Sequence, residues 1–362
     1  MIIKLNTYVP ALKWRQSEYQ ALFRLSDAAK ARICPFIMVP AIEFDFEDNE
    51  PKKTVQEHIA PFAKRFKDKW KGRPAWVEVD KSLRTQKMDS GVNVVGHVFT
   101  EVRKLKATAV PVAALDCEPD ALTAVAAAVE IDGRGVAVRA RLEDLMKPSF
   151  NKQLGDMLVQ LGVSHPDVDL IVDLGAPAYE PYNIFSKALA GTLAKVQSLE
   201  KFRSFVIMGT AFPESFQNVA VPGGVLPRHD WLFYKEFVAT LPKTLRRPAY
   251  GDYSIVSPTF VANFDMRLVK PAGKVVYTTP NEWVVRKGGA FRDNRTQMHG
   301  HCAHIVKLPS FCGAGYSSGD EYIARCAKKE KDAGPSTLGR WKEVGISHHI
   351  MHVLADLATL GG

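Results

Sequence analysis

The sequence is poor in the features from which function is usually read. Cysteine is scarce: the five residues (Cys34, Cys117, Cys302, Cys312 and Cys326) form an odd set with no CxxC spacing. That argues against a disulfide framework or a zinc ribbon and fits a reducing compartment. No apolar run approaches the ~18 residues of a membrane-crossing helix. The opening MIIKLNTYVPALKW has neither the apolar core nor the small-residue cleavage site of a secretory signal. A cytoplasmic chain without a membrane partner is therefore expected. GxGxxG, GxxxxGK[ST] and HExxH are all missing, so the dinucleotide, P-loop and zinc-protease readings have no motif to start from. Internal repeats, low-complexity tracts and flexible linkers are missing too.

What is present is an ordinary globular composition. The 362 residues are 46% hydrophobic and 24% charged, enough for a sizeable core and within the range of a single large α/β barrel. A net charge of +9 favours anionic partners. The excess is thinly spread; its densest stretch, Lys64 to Lys71, reads first as a solvated helix face.

Strand-like and helix-like segments alternate with little spare chain. Strands are expected at 8–14, 33–40, 74–80, 108–116, 135–142, 167–174, 204–210 and 247–254. Helices are expected between them at 17–32, 51–71, 96–106, 119–130, 149–161, 183–202 and 229–241. Eight strands separated by helices predict a (β/α)8 TIM-like parallel barrel over residues 1–262, in preference to an open doubly wound sheet. Residues 263–362 break the rhythm. A β-hairpin (274–279 and 282–286, around Pro280-Asn281) precedes helices at 296–306, 320–331 and 341–360, which must close and cap the barrel.

Side-chain parity then nominates a site. In Gly135 to Leu142, Val136, Val138 and Leu142 share one face, and Ala137, Arg139 and Arg141 the other. Glu78 and Asp80 lie opposite Val77 and Val79. Asp173 lies opposite Leu170, Val172 and Leu174, and Lys13 shares parity with Arg15. Glu43, Asp116 and Asp252 sit at or just after strand ends. Barrel enzymes work at that end, so these charges should line one mouth. Carboxylates alone would suggest a divalent cation such as magnesium. Interleaved arginines suggest either a grip on phosphate or carboxylate, or a salt-bridge network with no ligand. Gly209 ends strand seven, Pro222-Gly223-Gly224 follows it, and Gly251-Asp252-Tyr253 ends strand eight. Glycine there can let backbone N–H groups approach a phosphate, or can be plain turn chemistry. The late histidines (His299, His301, His304, His348, His349, His352) match no zinc spacing and read as capping and packing groups. Cys117 has no histidine partner in sequence.

Several short motifs in order also carry a resemblance. Tyr8-Val-Pro-Ala-Leu-Lys13-Trp-Arg15-Gln-Ser-Glu18 with Ala21-Leu22, Arg228-His-Asp-Trp231, Tyr250-Gly-Asp-Tyr253, Trp283 before Arg286-Lys-Gly-Gly289, Ser318-Gly-Asp320, and Trp341 to His348-His349 are similar to the beta protein family of bacterial and phage-related contexts. Ser17 stands where that pattern has glycine, and Asp230 where it has glutamate. The resemblance implies no established reaction, and its genomic company implies antiviral defence by association only.

Three functions follow as expectations. The first is a hydrolase of a phosphorylated small molecule, nucleotide or nucleic-acid end. Lys13, Arg15, Arg139, Arg141, Gly209, Gly251, Asp252 and Tyr253 would hold the anion, while Asp80, Glu78 or Asp173 acts as general base or holds magnesium. The second is a non-catalytic sensor of a defence system, reading the same ligand and signalling to a protein partner through the C-terminal helices. The third is a direct nucleic-acid binder, which the charge permits and no motif supports. Fold alone does not choose among them.

Overall fold

The computed structural model describes residues 3–258 and 270–360; the expected division at 262/263 lies outside them. Eight short strands rich in Val, Ile and Ala form a closed parallel barrel: β1 (Val9–Lys13), β2 (Phe36–Val39), β3 (Ala75–Val79), β4 (Ala109–Ala114), β5 (Val136–Arg141), β6 (Val168–Gly175), β7 (Ser204–Gly209) and β8 (Ala249–Asp252). Neighbours in sequence are neighbours in the ring, and β1 closes it by pairing with β2 (Ala11 opposite Phe36) and β8 (Val9 opposite Gly251).

The period-two pattern sorts the core into layers. Val9, Ala11, Phe36, Trp76, Ala137, Ile171 and Met208 fill the interior. Val77, Val136, Val138, Leu170 and Val172 face outward into a second layer. Against that layer pack α1 (Gln16–Arg24), α2 (Phe62–Trp70), α3 (Val94–Lys104), α4 (Pro119–Asp132), α5 (Phe150–Gln160), α6 (Tyr182–Leu193) and α7 (His229–Thr240).

Local chemistry moves several boundaries from their expected places. The helix expected over 17–32 breaks in two because the Ser26 hydroxyl accepts a hydrogen bond from Ala29 N–H (3.2 Å) and starts a new turn. Pro51 opens no helix; it pairs with Phe44 in a two-residue ladder, and Thr54, boxed with Glu57, caps the helix instead. The helix expected to reach residue 202 stops at Leu193. An unforeseen strand, Gly223–Pro227, adds to the C-terminal hairpin of β9 (Ala272–Thr278) and β10 (Glu282–Ala290), making a three-stranded antiparallel sheet.

That sheet packs with α8 (Gln297–Ile305) and α9 (Ser318–Ala327) around a core of its own, which includes Val275, Tyr277, Met298, Ile323 and Trp341. The last helix, α10 (Leu338–Leu360), lies against α1 and closes the helical ring. It sends Ile346, Ile350, Val353, Leu354 and Leu357 into the barrel's outer layer; at roughly 1.5–3 kcal/mol per fully buried aliphatic side chain, this seam is strong. Adjacent histidines on α10 face different partners. His349 donates from Nε2 to Asp252 (3.0 Å) on β8, and His348 faces Asp320 on α9 through Nδ1 (2.9 Å) and the Thr278 carbonyl through Nε2 (2.7 Å). Among the described residues, no helix is long and apolar enough to cross a membrane.

Candidate functional site: a closed mouth and a basic cleft

Arg139 stands at the centre of the mouth. It follows Ala137 on the inward face of β5, and all three of its guanidinium nitrogens are engaged. Nη1 donates to Glu78 Oε2 (2.6 Å), Nε and Nη2 donate to Asp173 Oδ2 (2.9 and 2.6 Å), and Nη2 also reaches the Tyr253 hydroxyl (3.1 Å). The Tyr253 hydroxyl donates to the same Asp173 oxygen (2.6 Å), and Gly175 N–H satisfies Oδ1 (2.9 Å). Glu78 offers its other oxygen to Arg84 Nη2 (3.0 Å), whose Nε and Nη1 end on the Val79 carbonyl (3.1 Å) and Asp116 (3.3 Å). Burial alone would lower the Arg139 pKa, but Glu78, Tyr253 and Asp173 raise it well above its usual value, so the guanidinium stays charged. Burial, then Asp173, pushes the Tyr253 phenol up, so it remains a donor.

Parity thus brings Glu78, Arg139, Asp173 and Tyr253 together. Arg84, which sequence reasoning missed, completes the set. It ends the short helix Lys81–Arg84, started by Asp80 accepting from Ser82 N–H (2.9 Å) and Ser82 Oγ–H (2.7 Å). The sequence signal was Asp80 at a strand end with Ser82 two residues on, a cap that turns the chain and returns Arg84 to the mouth.

Other expected residues lie elsewhere. Asp252 points away from the mouth. Ala249 and Tyr253 face the barrel interior, whereas Tyr250 and Asp252 face outward under α10. There Asp252 accepts from Tyr8, Tyr250, Ser254 N–H and His349. Burial would raise its pKa, but His349, Tyr8 and Ser254 hold it below the usual carboxylate range. Arg141 lies on the rim, 46% exposed and 3.8 Å from Asp116. Lys13 does face the mouth and donates to the Pro258 carbonyl (3.0 Å); burial, then Arg15, lowers its pKa. Gly209 and Gly251 serve close packing of the wall. A Cβ at 209 would stand 2.5 Å from Tyr179 Oη, and one at 251 would stand 3.0 Å from the Val9 carbonyl oxygen. Pro222-Gly223-Gly224 runs into sheet pairing with β10 and makes no phosphate loop. Burial raises the Cys117 thiol to about 11, which removes it as a nucleophile. Among the described residues, no three His, Cys, Asp or Glu side chains converge as a metal site, because Glu78 and Asp173 both turn onto arginine.

Arg15 marks a different feature. The loops after β1 and β2 enclose a cleft of about 280 Å³ lined by Trp14, Arg15, Tyr19, Glu43, Lys52, Lys53, His58, Phe62 and Arg65. Four cations there face one carboxylate: Glu43 is 3.7 Å from Arg15 and 3.4 Å from Lys52. Arg65 lies over the Tyr19 ring at 5.2 Å. His58 donates from Nε2 to the Pro40 carbonyl (2.7 Å), and burial lowers its pKa, so it is neutral near pH 7. The acidic residues of the Phe44–Pro51 turn do not line the cleft. A concave site with like charges on its walls focuses potential onto an anion.

Fold and charge together define a closed parallel α/β barrel with a self-neutralised mouth and a basic cleft at its rim. The chain belongs to the Beta protein family, whose model matches residues 8–355 and so spans both the barrel and the C-terminal sheet and helices. No curated protein matches the chain.

Proposed function

We propose that this protein is an anion-binding barrel that takes a phosphorylated ligand in the rim cleft, while the central mouth holds the barrel's upper end in shape. One observation carries this reading: Arg15, Lys52, Lys53 and Arg65 line an open cleft whose one lining carboxylate, Glu43, pairs with Arg15 and Lys52, whereas the mouth arginines are consumed by their own carboxylates. The test is calorimetric titration with inorganic pyrophosphate at two salt concentrations. Binding that weakens as salt rises, and that falls at least tenfold in Lys53→Glu/Arg65→Glu, supports the reading. Absence of binding, or equal affinity in that variant, removes it.

A hydrolytic reading has one specific support. Asp80 is the proposed catalytic carboxylate whose recorded hydrogen bonds come from Ser82 and not from an arginine, and its charge acts on Lys13 at the mouth. Turnover of a phosphate ester by the wild type, lost in a folded Asp80→Asn variant, would establish it.

A further inference from the structure

Beside the basic cleft stands a feature of the opposite charge. After β2 the chain runs out into a short hairpin whose ladder pairs Phe44 with Pro51 and Asp45 with Glu50. Every residue from Phe46 to Thr54 is exposed, and Asn49 turns the chain at φ 54°. The hairpin carries Asp45, Glu47, Asp48 and Glu50. Like charges directly opposite in a ladder repel, and Asp45 lies opposite Glu50. Among the described residues no cation pairs with Asp45, Asp48 or Glu50; Lys52, next along the chain, turns to Glu43 instead (3.4 Å). Phe44 and Phe46 meet edge to face among these acids, with centroids 5.2 Å apart, and are 38% and 39% exposed. Water solvates the carboxylates but not the two rings. A hairpin both acidic and aromatic is complementary to a surface both basic and aromatic.

The cleft has that character: Arg15, Lys52, Lys53 and Arg65 stand over walls that include Trp14, Tyr19 and Phe62. The four hairpin acids do not line the cleft of their own chain. Lys52 and Lys53 belong to the cleft and follow directly on the hairpin, so the two features are neighbours on one surface. A surface with both halves of a complementary pair is what a twofold contact needs, because each copy gives one half and receives the other. We infer that two copies of this chain associate about a twofold axis, the acidic hairpin of each seated in the basic cleft of the other. Phe44 and Phe46 then meet the aromatic wall, and the hairpin carboxylates face the cleft's cations. The inference goes beyond the anion-binding reading and competes with it for space, since a phosphorylated ligand has to displace the partner's hairpin.

The test is sedimentation velocity on the full chain over a concentration series, at low and at high salt. Two small, charge-rich contacts predict a dimer that forms over about 1–50 μM and is weakened about tenfold at high salt. Asp45→Lys/Asp48→Lys should be monomeric, and so should Lys53→Glu/Arg65→Glu, because each sets like charge against like. An equimolar mixture of the two variants should recover the dimer, since both contacts in the mixed pair again join opposite charges. If a variant does not fold, a carbodiimide cross-link between Asp48 of one copy and Lys53 of the other, read by mass spectrometry in an isotope-mixed wild-type sample, decides in its place. A monomer at every concentration overturns the inference, as does a dimer that survives either charge reversal; an oligolysine peptide bound by that monomer would give the hairpin a different basic partner. The two readings fail separately. Pyrophosphate binding to a monomer leaves the anion reading standing, and a dimer that pyrophosphate neither binds nor dissociates leaves only this one.

Discussion

In the mouth, Arg139 and Arg84 close on Glu78, Asp173 and Asp116 until no guanidinium nitrogen of either is left over. At the rim, Arg15 has one carboxylate among the described residues, 3.7 Å away and shared with Lys52. Residue type is the same in both places; supply of counter-charge differs. Exposure differs too: the Arg139 side chain is 13% exposed and that of Arg15 is 31%. A buried guanidinium that lost its partners would be very costly, so the fold provides them. A half-exposed one is hydrated and can be left available for an incoming anion.

The comparison breaks most easily at its buried side. Arg139→Ala takes the cation from between Glu78 and Asp173, leaving Glu78 only Arg84 and Asp173 only the neutral Tyr253 hydroxyl and Gly175 N–H, and should cost about 3 kcal/mol in denaturant unfolding; a cost under ~1 kcal/mol would show that the network does not hold the mouth. Asp80→Ala removes only a cap from the helix that presents Arg84, and about 1 kcal/mol is expected in the same measurement. Lys53→Glu/Arg65→Glu should change stability by less than ~0.5 kcal/mol while abolishing the salt-sensitive anion binding. Loss of fold in that variant would make the cleft structural as well.

The smallest effect sharpens the contrast through pH. Burial lowers the His58 pKa, and Lys53 and Arg65 push the same way against Glu43 and the Pro40 carbonyl. The ring is therefore neutral at pH 7 and gains its proton only below the ordinary histidine range. Protonation adds a cation to the cleft, so anion affinity should rise roughly twofold as the solution is acidified through that window. His58→Gln should flatten the profile, and an affinity that falls on acidification would contradict the assignment.

Much of the barrel was legible because strand period and helix alternation are local properties. Parity placed Glu78, Arg139 and Asp173 correctly on the inward face. It could not decide Asp252, which was nominated only by its place at a strand end, because in Ala249-Tyr250-Gly251-Asp252-Tyr253 aromatic residues fall on both faces and only the position of α10 decides which is outside. Of the cleft's charged residues, Arg15 and Glu43 were nominated for the mouth and Arg65 was read as part of a solvated helix face. Lys52, Lys53, His58 and Arg65 reach the cleft from the segment after β2, whose ladder and broken helix depend on Thr54 capping and on the Phe44–Pro51 pairing. Such a convergence is tertiary, and no spacing along the chain encodes it.

The pair of histidines on α10 has a consequence for biosynthesis. His349 answers Asp252 of the eighth strand, Tyr8 beside the first strand meets the same carboxylate, and His348 answers Asp320 of the C-terminal unit. While a ribosome has yet to release residues 338–360, the seam between first and last strands lacks its cover and two buried acids lack their imidazoles. Stable closure of the eight-stranded ring is therefore expected to wait for that helix. A nascent chain halted before that helix should stay sensitive to protease along its whole length, and should become resistant in one step when the helix emerges.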